Sequence, residues 1–290
     1  MRANNINIVI CLNAEVSEGA DLWLRDNVQR IIFRDNIGYD FGAYKDCVKY
    51  LHDDGAPIKQ FMLLNDSVFF IDNGLEQFFA RMMSDCDAVS AFENWGDNAG
   101  NHFQSFAVSV SGKVFHSEPF QSFWQQYVPV SSRIWAIEQG EKKLSEAVLK
   151  IATTSKVLYT CADLCRELAA LPDDLVLTDV VVPLRYRGML PVDDRRSFNI
   201  ATRYPNLVDI VNNSSPIHCG AWLFPNFLRA PLVKKDIVYR QRFQFWEVQF
   251  LFKDLMSEEE FTEFSTQLRA KGNYEKLDAK TLTKYELGIA

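Results

Sequence analysis

Four stretches of this chain bring together residue types that do chemistry. In the first, Asp35-Asn36-Ile37-Gly38-Tyr39-Asp40-Phe41-Gly42-Ala43, carboxylates and an amide alternate with glycines between an apolar run and a segment of helical spacing. Glycine lets the backbone turn tightly and come close to a ligand. A helix start offers unbonded N–H groups to a phosphate, and Asp or Asn can take ribose hydroxyls or a base edge. The same residues also suit a plain helix start capped by Asp. In the second stretch, Asn65-Asp66-Ser67 follows a continuous apolar run. A carboxylate at the end of a buried strand is costly unless it is paired or holds a metal. Mg²⁺ or Mn²⁺ takes one or two carboxylates and completes its shell with diphosphate oxygens and water. An Asx-turn leaving the strand is the competing reading.

The third stretch is Glu138-Gln139-Gly140-Glu141. Either Glu141 or Glu138 could deprotonate a hydroxyl, and both would also be favoured by the dipole of a helix start. The fourth sets His218 between Pro216 and Gly220, with Lys234, Lys235 and Arg240 downstream. A neutral imidazole could complete a metal site with Asp66, and the cations could neutralise a diphosphate. A buried structural histidine and a solvated lysine pair fit the pattern as well.

The elements that must hold these residues alternate along the chain. Apolar runs at 7–12, 28–33 and 61–64 read as buried strands. From 43 to 52 the apolar spacing fits a helix with one buried stripe, and Gly55 and Pro57 stop it. Residues 17–28 form a short helix or loop. Helices are expected at 75–83, 117–127, 137–151 and 164–171, and strands at 87–92 and 103–110, with a Gly- and Asn-rich loop at 93–102. Residues 175–184 read as extended, and 186–211 carry no assignable pattern. A loop is expected from 214, then a short basic stretch at 231–240. Two helices follow at 244–256 and 257–271, the second opening on the capping-box pattern Ser257-Glu258-Glu259-Glu260. The polar tail beyond is expected to fray.

The chain has 290 residues, 48% of them apolar, and a net charge of −7. That is enough for a sizeable core, and the lack of a Lys/Arg cluster argues against a nucleic-acid partner. Six cysteines show neither zinc-ligand spacing nor a disulfide framework, which reads as a reducing compartment. No apolar run reaches the length of a membrane span. The simplest architecture is α/β, one domain over 1–243 with a helical extension at 244–290.

The order of the pieces resembles nucleotide-sugar glycosyltransferases of the GT-A type. More closely, Arg34-Asp35-Asn36-Ile37-Gly38-Tyr39-Asp40-Phe41-Gly42-Ala43-Tyr44-Lys45, Leu63-Leu64-Asn65-Asp66-Ser67-Val68, Phe120-Gln121-Ser122-Phe123-Trp124, Gly140-Glu141 with Leu144, Pro216-Ile217-His218 and Pro231-Leu232-Val233-Lys234-Lys235 resemble the rhamnan synthesis protein F family. The resemblance runs from about residue 6 to 245. It implies a GT-A-like, Rossmann-like mixed sheet flanked by helices. It also implies a bacterial enzyme that builds cell-surface polysaccharide, such as O-antigen, capsule or rhamnan, with rhamnosyl or galactofuranosyl transfer. The donor would be a UDP- or dTDP-sugar, and the acceptor a lipid-linked or polysaccharide chain. The place would be the cytoplasm at the inner face of the plasma membrane, among polysaccharide-assembly enzymes.

On this reading Glu141, or else Glu138, is the base. Asp35, Asn36, Gly38, Asp40, Gly42, Asn65, Lys234, Lys235 and Arg240 hold the donor. Asp66 and His218 hold a divalent cation, Mn²⁺ or Mg²⁺. Asp66 is a single carboxylate where the wider pattern has two, so a metal-independent mechanism stays open. GT-A domains open with a strand and helix ahead of the strand at 7–12; on this resemblance either that segment is missing from the sequence or the sheet is completed differently. The rival from another class is a non-catalytic carbohydrate-binding or assembly subunit that retains the fold.

Overall fold

The computed structural model describes residues 6–94, 102–171, 176–178, 197–199, 211–212, 215–240, 242–271 and Lys280. The first half alternates as expected, with one further strand, β4, that the sequence reading did not include: β1 (Val9–Leu12), α1 (Glu18–Asn27), β2 (Arg30–Phe33), α2 (Tyr39–Asp54), β3 (Gln60–Leu64), β4 (Val68–Phe70), α3 (Leu75–Met82) and β5 (Ala88–Ser90). Next come β6 (Glu93–Asn94), β7 (His102–Phe103), β8 (Ala107–Ser111), α4 (Gly112–Phe115) and α5 (Glu118–Gln126). One continuous helical stretch then runs through α6 (Arg133–Trp135), a π-helical turn (Ala136–Glu141) and α7 (Lys142–Leu149). The rest comprises β9 (Ser155–Val157), α8 (Cys161–Ala169), β10 (Val176–Thr178), β11 (Ser197–Asn199), α9 (Pro216–Cys219), α10 (Leu223–Leu228), β12 (Leu232–Lys234), α11 (Phe245–Phe252) and α12 (Glu258–Ala270).

The central sheet is mixed, in the order β3-β8-β5-β9, with β8 antiparallel to both neighbours and β9 parallel to β5. Side chains alternate across it, as the period of a strand requires. Phe61, Leu63, Ala88, Val108 and Val110 face one core layer, with Phe41, Tyr44 and Val48 of α2, Phe120 and Trp124 of α5 and Leu144 of α7. Val89 and Ala107 face the other, with Phe78 of α3, Leu164 of α8 and Phe224 of α10. The sheet is therefore the middle of three layers, and the α/β class read from the sequence holds. Strands β1 and β2 form a separate parallel ladder.

Helices α11 and α12 close the second layer. Phe264 packs against Phe69 and Phe252, with ring centroids 5.1 and 5.9 Å apart. Both helices begin on capping boxes, Gln244 with Glu247 and Ser257 with Glu260.

Several local expectations are corrected. Helix α2 begins at Tyr39 rather than 43, because Gly38 takes a left-handed φ of +77° and turns the chain straight into it. The strand expected at 103–110 is two, since the adjacent polar pair Gln104-Ser105 interrupts the alternation. The helix expected at 137–151 opens with the π turn. The loop expected from 214 holds α9, with Pro216 in its first turn. The basic stretch at 231–240 contributes β12, which pairs antiparallel with β4. Within 175–184 the extended reading meets β10, and most of 186–211 and of the tail lies outside the described residues.

Candidate functional site

Strand β3 delivers the chain to Asn65 at the carboxyl edge of the sheet. There Asn65 Oδ1 accepts from the Ser67 N–H at 3.0 Å and from Ser67 Oγ at 2.5 Å, so the triplet is an Asx-turn. Asp66 lies exposed at its tip. The buried-carboxylate argument for a metal thus does not apply to Asp66. The desolvated acid is Asp40, in the first turn of α2, whose Oδ2 accepts from Asn65 Nδ2 at 2.6 Å.

Pairing of β12 with β4 brings Lys234 opposite Val68, and the Lys235 N–H donates to the Ser67 carbonyl at 3.1 Å. Two lysines thereby reach a turn far from them in sequence. Lys234 Nζ donates to Ser67 Oγ at 2.8 Å and sits 4.4 Å from the centre of the Phe106 ring.

The π turn places the next carboxylate. It fits one extra residue into a helical turn, and its buried Gly140 allows the Phe41 ring to lie where a Cβ would be, 2.9 Å away. Glu141 then accepts from Ser105 Oγ at 2.7 Å and from the Ser105 N–H at 3.2 Å. Its other oxygen is 3.6 Å from Nε2 of the buried His102. Tyr44 links the two sides by donating from its hydroxyl to the Ser105 carbonyl at 2.9 Å.

The two carboxylates titrate in opposite directions. Burial raises Asp40 to about 6; Lys234 pulls it down, while Asp66 and Glu141 push it up. Burial also pushes Glu141 up, but His102 and Ser105 outweigh it and hold the carboxyl below its ordinary range. Burial lowers Lys234, against the attraction of Asp236, Asp40 and Glu141. Paired groups pushed apart in this way can divide acid and base roles.

The remaining candidates lie as follows. Asp35 and Asn36 are exposed on the turn before α2, where Asn36 Oδ1 accepts from Asn13 Nδ2 at 3.2 Å. Gly38 packs on Pro129; a Cβ there would lie 2.5 Å from that proline's Cβ. Gly42 faces the Ile37 carbonyl, 2.2 Å from where its Cβ would be, and the Arg34 guanidinium, so both close approaches are to protein. Glu138 is half exposed and pairs with Lys142 at 2.6 Å, away from Glu141's partners. His218 has both ring nitrogens engaged, Nδ1 with Ser215 Oγ at 2.8 Å and Nε2 with Asp236 Oδ1 at 2.9 Å. Arg240 bonds the second oxygen of Asp236. Among the described residues, no group of three or more His, Cys, Asp or Glu side chains is arranged to hold a metal ion.

The site also draws on Tyr44, His102, Ser105, Phe106 and Asp236, to which the motif spacing assigns no role. The interrupted alternation at Gln104-Ser105 was a signal for Ser105, and Asp236 is the acid within a basic run. Tyr44 stands inside the Arg34–Lys45 motif, whereas His102 and Phe106 carry no local mark.

Among the described residues, no helix is long and apolar enough to cross a membrane. No solved structure matches this chain. An uncharacterized protein of Sinorhizobium fredii, y4gN, is 28% identical over 167 residues, which is 57% of this chain and 44% of the relative. The chain thus matches less than half the length of that relative. The sequence pattern described as rhamnan synthesis protein F matches residues 8–201. With well over half its length covered, the chain belongs to the rhamnan synthesis protein F family, named for a role in polysaccharide synthesis.

Proposed function

We propose that this chain is a GT-A-like glycosyltransferase. It would move a sugar of the rhamnose or galactofuranose class from a UDP- or dTDP-sugar to a growing cell-surface polysaccharide, lipid-linked or free, at the inner face of the membrane. One observation carries the reading: Asp40, Asn65, Ser67 and Lys234 form a bonded chain at the carboxyl edge of β3, in the electrostatic reach of Glu141. Ligands of open α/β sheets bind at that edge.

In the proposed step Glu141 takes the proton of the acceptor hydroxyl. The freed oxygen attacks the anomeric carbon, and the bond from that carbon to the diphosphate breaks. Lys234 and Lys235 offset the charge growing on the leaving group. Asp35, Asn36, Asn65 and Asp40 hold the donor. A divalent cation, when bound, would add Lewis-acid stabilisation. Asp66, exposed and adjacent, suits a cation that takes one carboxylate and completes its shell from the diphosphate and water. His218 is better read as holding Asp236 beside Arg240, since both its ring nitrogens are already engaged. A second reading makes Asp40 the proton acceptor. It is favoured by a carboxyl raised to about 6, closer to a working pH than that of Glu141.

Calorimetric titration of the full chain with UDP, dTDP, GDP and CDP, with and without Mn²⁺, tests the proposal. Binding of one nucleotide, weakened in Asp66→Ala, is expected. Binding of none would favour a carbohydrate-binding or assembly subunit that keeps the fold.

A further inference from the structure

We propose that Cys11 and Cys47 are a redox modification site, closing reversibly into a disulfide that ties β1 to α2. The inference rests on geometry and is independent of the proposed activity. The two sulfurs lie 3.3 Å apart, one on a strand and one on a helix 36 residues further on. Closure to a bond of about 2.05 Å asks for little more than 1 Å of movement. Cys11 Sγ also donates to the Ala43 carbonyl at 3.3 Å, which keeps it facing the helix. Both cysteines are only partly buried as residues, which leaves the pair near the surface for a small oxidant.

The pair is also chemically unequal. The hydrogen bond from Cys47 lowers the Cys11 thiol, opposed by burial and Asp46 and aided by the Arg34 guanidinium. The same bond, then burial, raises Cys47. Cys11 is thus the attacking sulfur and Cys47 the resolving one. With a low-molecular-weight disulfide such as oxidised glutathione, the Cys11 thiolate attacks one sulfur and expels a first glutathione thiolate, which takes up a proton. Cys47, as thiolate, then attacks Cys11 and expels the second. Two protein thiols become one disulfide, and the oxidant becomes two thiols. The ring so closed contains Asp35, Asn36, Gly38 and Asp40, so the bond would tether the turn that carries Asp40 into the site. Cys161 offers an internal contrast: burial pushes its thiol up to about 12, with Cys219 and Cys165 as neighbours.

The full chain is incubated with oxidised glutathione, alkylated in denaturant and mapped by peptide mass spectrometry. The expected product is a linked Cys11–Cys47 peptide pair, reversed by dithiothreitol, with Tm raised by roughly 5 °C or more. In Cys47→Ser, Cys11 should stop as the glutathione mixed disulfide. The proposal is overturned if both thiols of the unaltered chain stay open to alkylation, or if either links to another cysteine or another molecule. A linked pair with unchanged Tm would overturn the tether. Should Cys47→Ser fail to fold, timed alkylation of the unaltered chain decides, because Cys11 must be modified before Cys47.

Discussion

Asp40 and Lys234 are joined through two intervening side chains. Asp40 accepts from Asn65, Asn65 accepts from Ser67 Oγ, and Ser67 Oγ accepts from Lys234, at 2.6, 2.5 and 2.8 Å. The acid belongs to the first turn of a helix and the base to a strand near the end of the chain. The turn between them, Asn65 to Ser67, bonds to both.

That linkage has an electrostatic sign. Lys234 lowers Asp40, so Lys234→Met should move the Asp40 titration above about 6. Carbon-detected NMR of the side-chain carboxyl reads it directly. An unchanged midpoint would mean that the two charges do not feel each other.

Asp40 should also cost the fold stability. The folded chain keeps the Asp40 proton up to about 6, whereas an unfolded Asp loses it near pH 3.9. Between those values the folded state binds more protons, so stability falls as pH rises. Above pH 6 the whole cost stands, of order 3 kcal/mol. Asp40→Asn should therefore melt higher than the parent at pH 7.5, and scanning calorimetry should show the gap narrowing by pH 4. A gap that persists at pH 4 would assign the gain to something other than this proton.

The two glutamates of the π turn should separate cleanly. Glu141→Gln should lower turnover by more than about 100-fold if Glu141 is the base. Glu138→Gln loses only a surface pair with Lys142, worth about 0.5 kcal/mol, and should leave turnover near the parent's. A near-normal rate in Glu141→Gln would pass the role to Asp40. The basic partner of the reaction would then titrate near 6 in the pH profile.

Phe264→Ala should cost about 3–5 kcal/mol in urea unfolding. The ring is fully buried between Phe69 and Phe252. If residues from 244 onward were a dispensable extension, the loss would be small and the transition unchanged.

The sequence was most readable where a pattern is local. The β–α–β unit from 30 to 64 shows its strands and helix in apolar spacing, and the capping box of the last helix, Ser257 with Glu260, follows from chemistry within four residues. Asn65 and Asp40 were readable as candidates; their partnership was not. Which carboxylate is buried depends on how a turn meets a helix start, and Asp66, the more prominent in the motif, lies exposed. Gly38 and Gly42 were legible as places of close approach, yet only the fold says that Pro129, Ile37 and Arg34 fill them. Lys234 reaches Ser67 through strand pairing across most of the chain, which no local spacing records.

The π turn carries a consequence about chain length. An α-helix advances about 100° per residue, and Ala136–Glu141 holds one residue more than an α turn would. Removing Gln139 would let that stretch relax to ordinary helix. Glu141 would then swing about a quarter of the way round the axis, off Ser105, or everything from Arg133 to Trp135 would rotate instead. The aim of the carboxylate is thus stored as a count of residues, and a one-residue deletion would misdirect it with every side chain of the site still present.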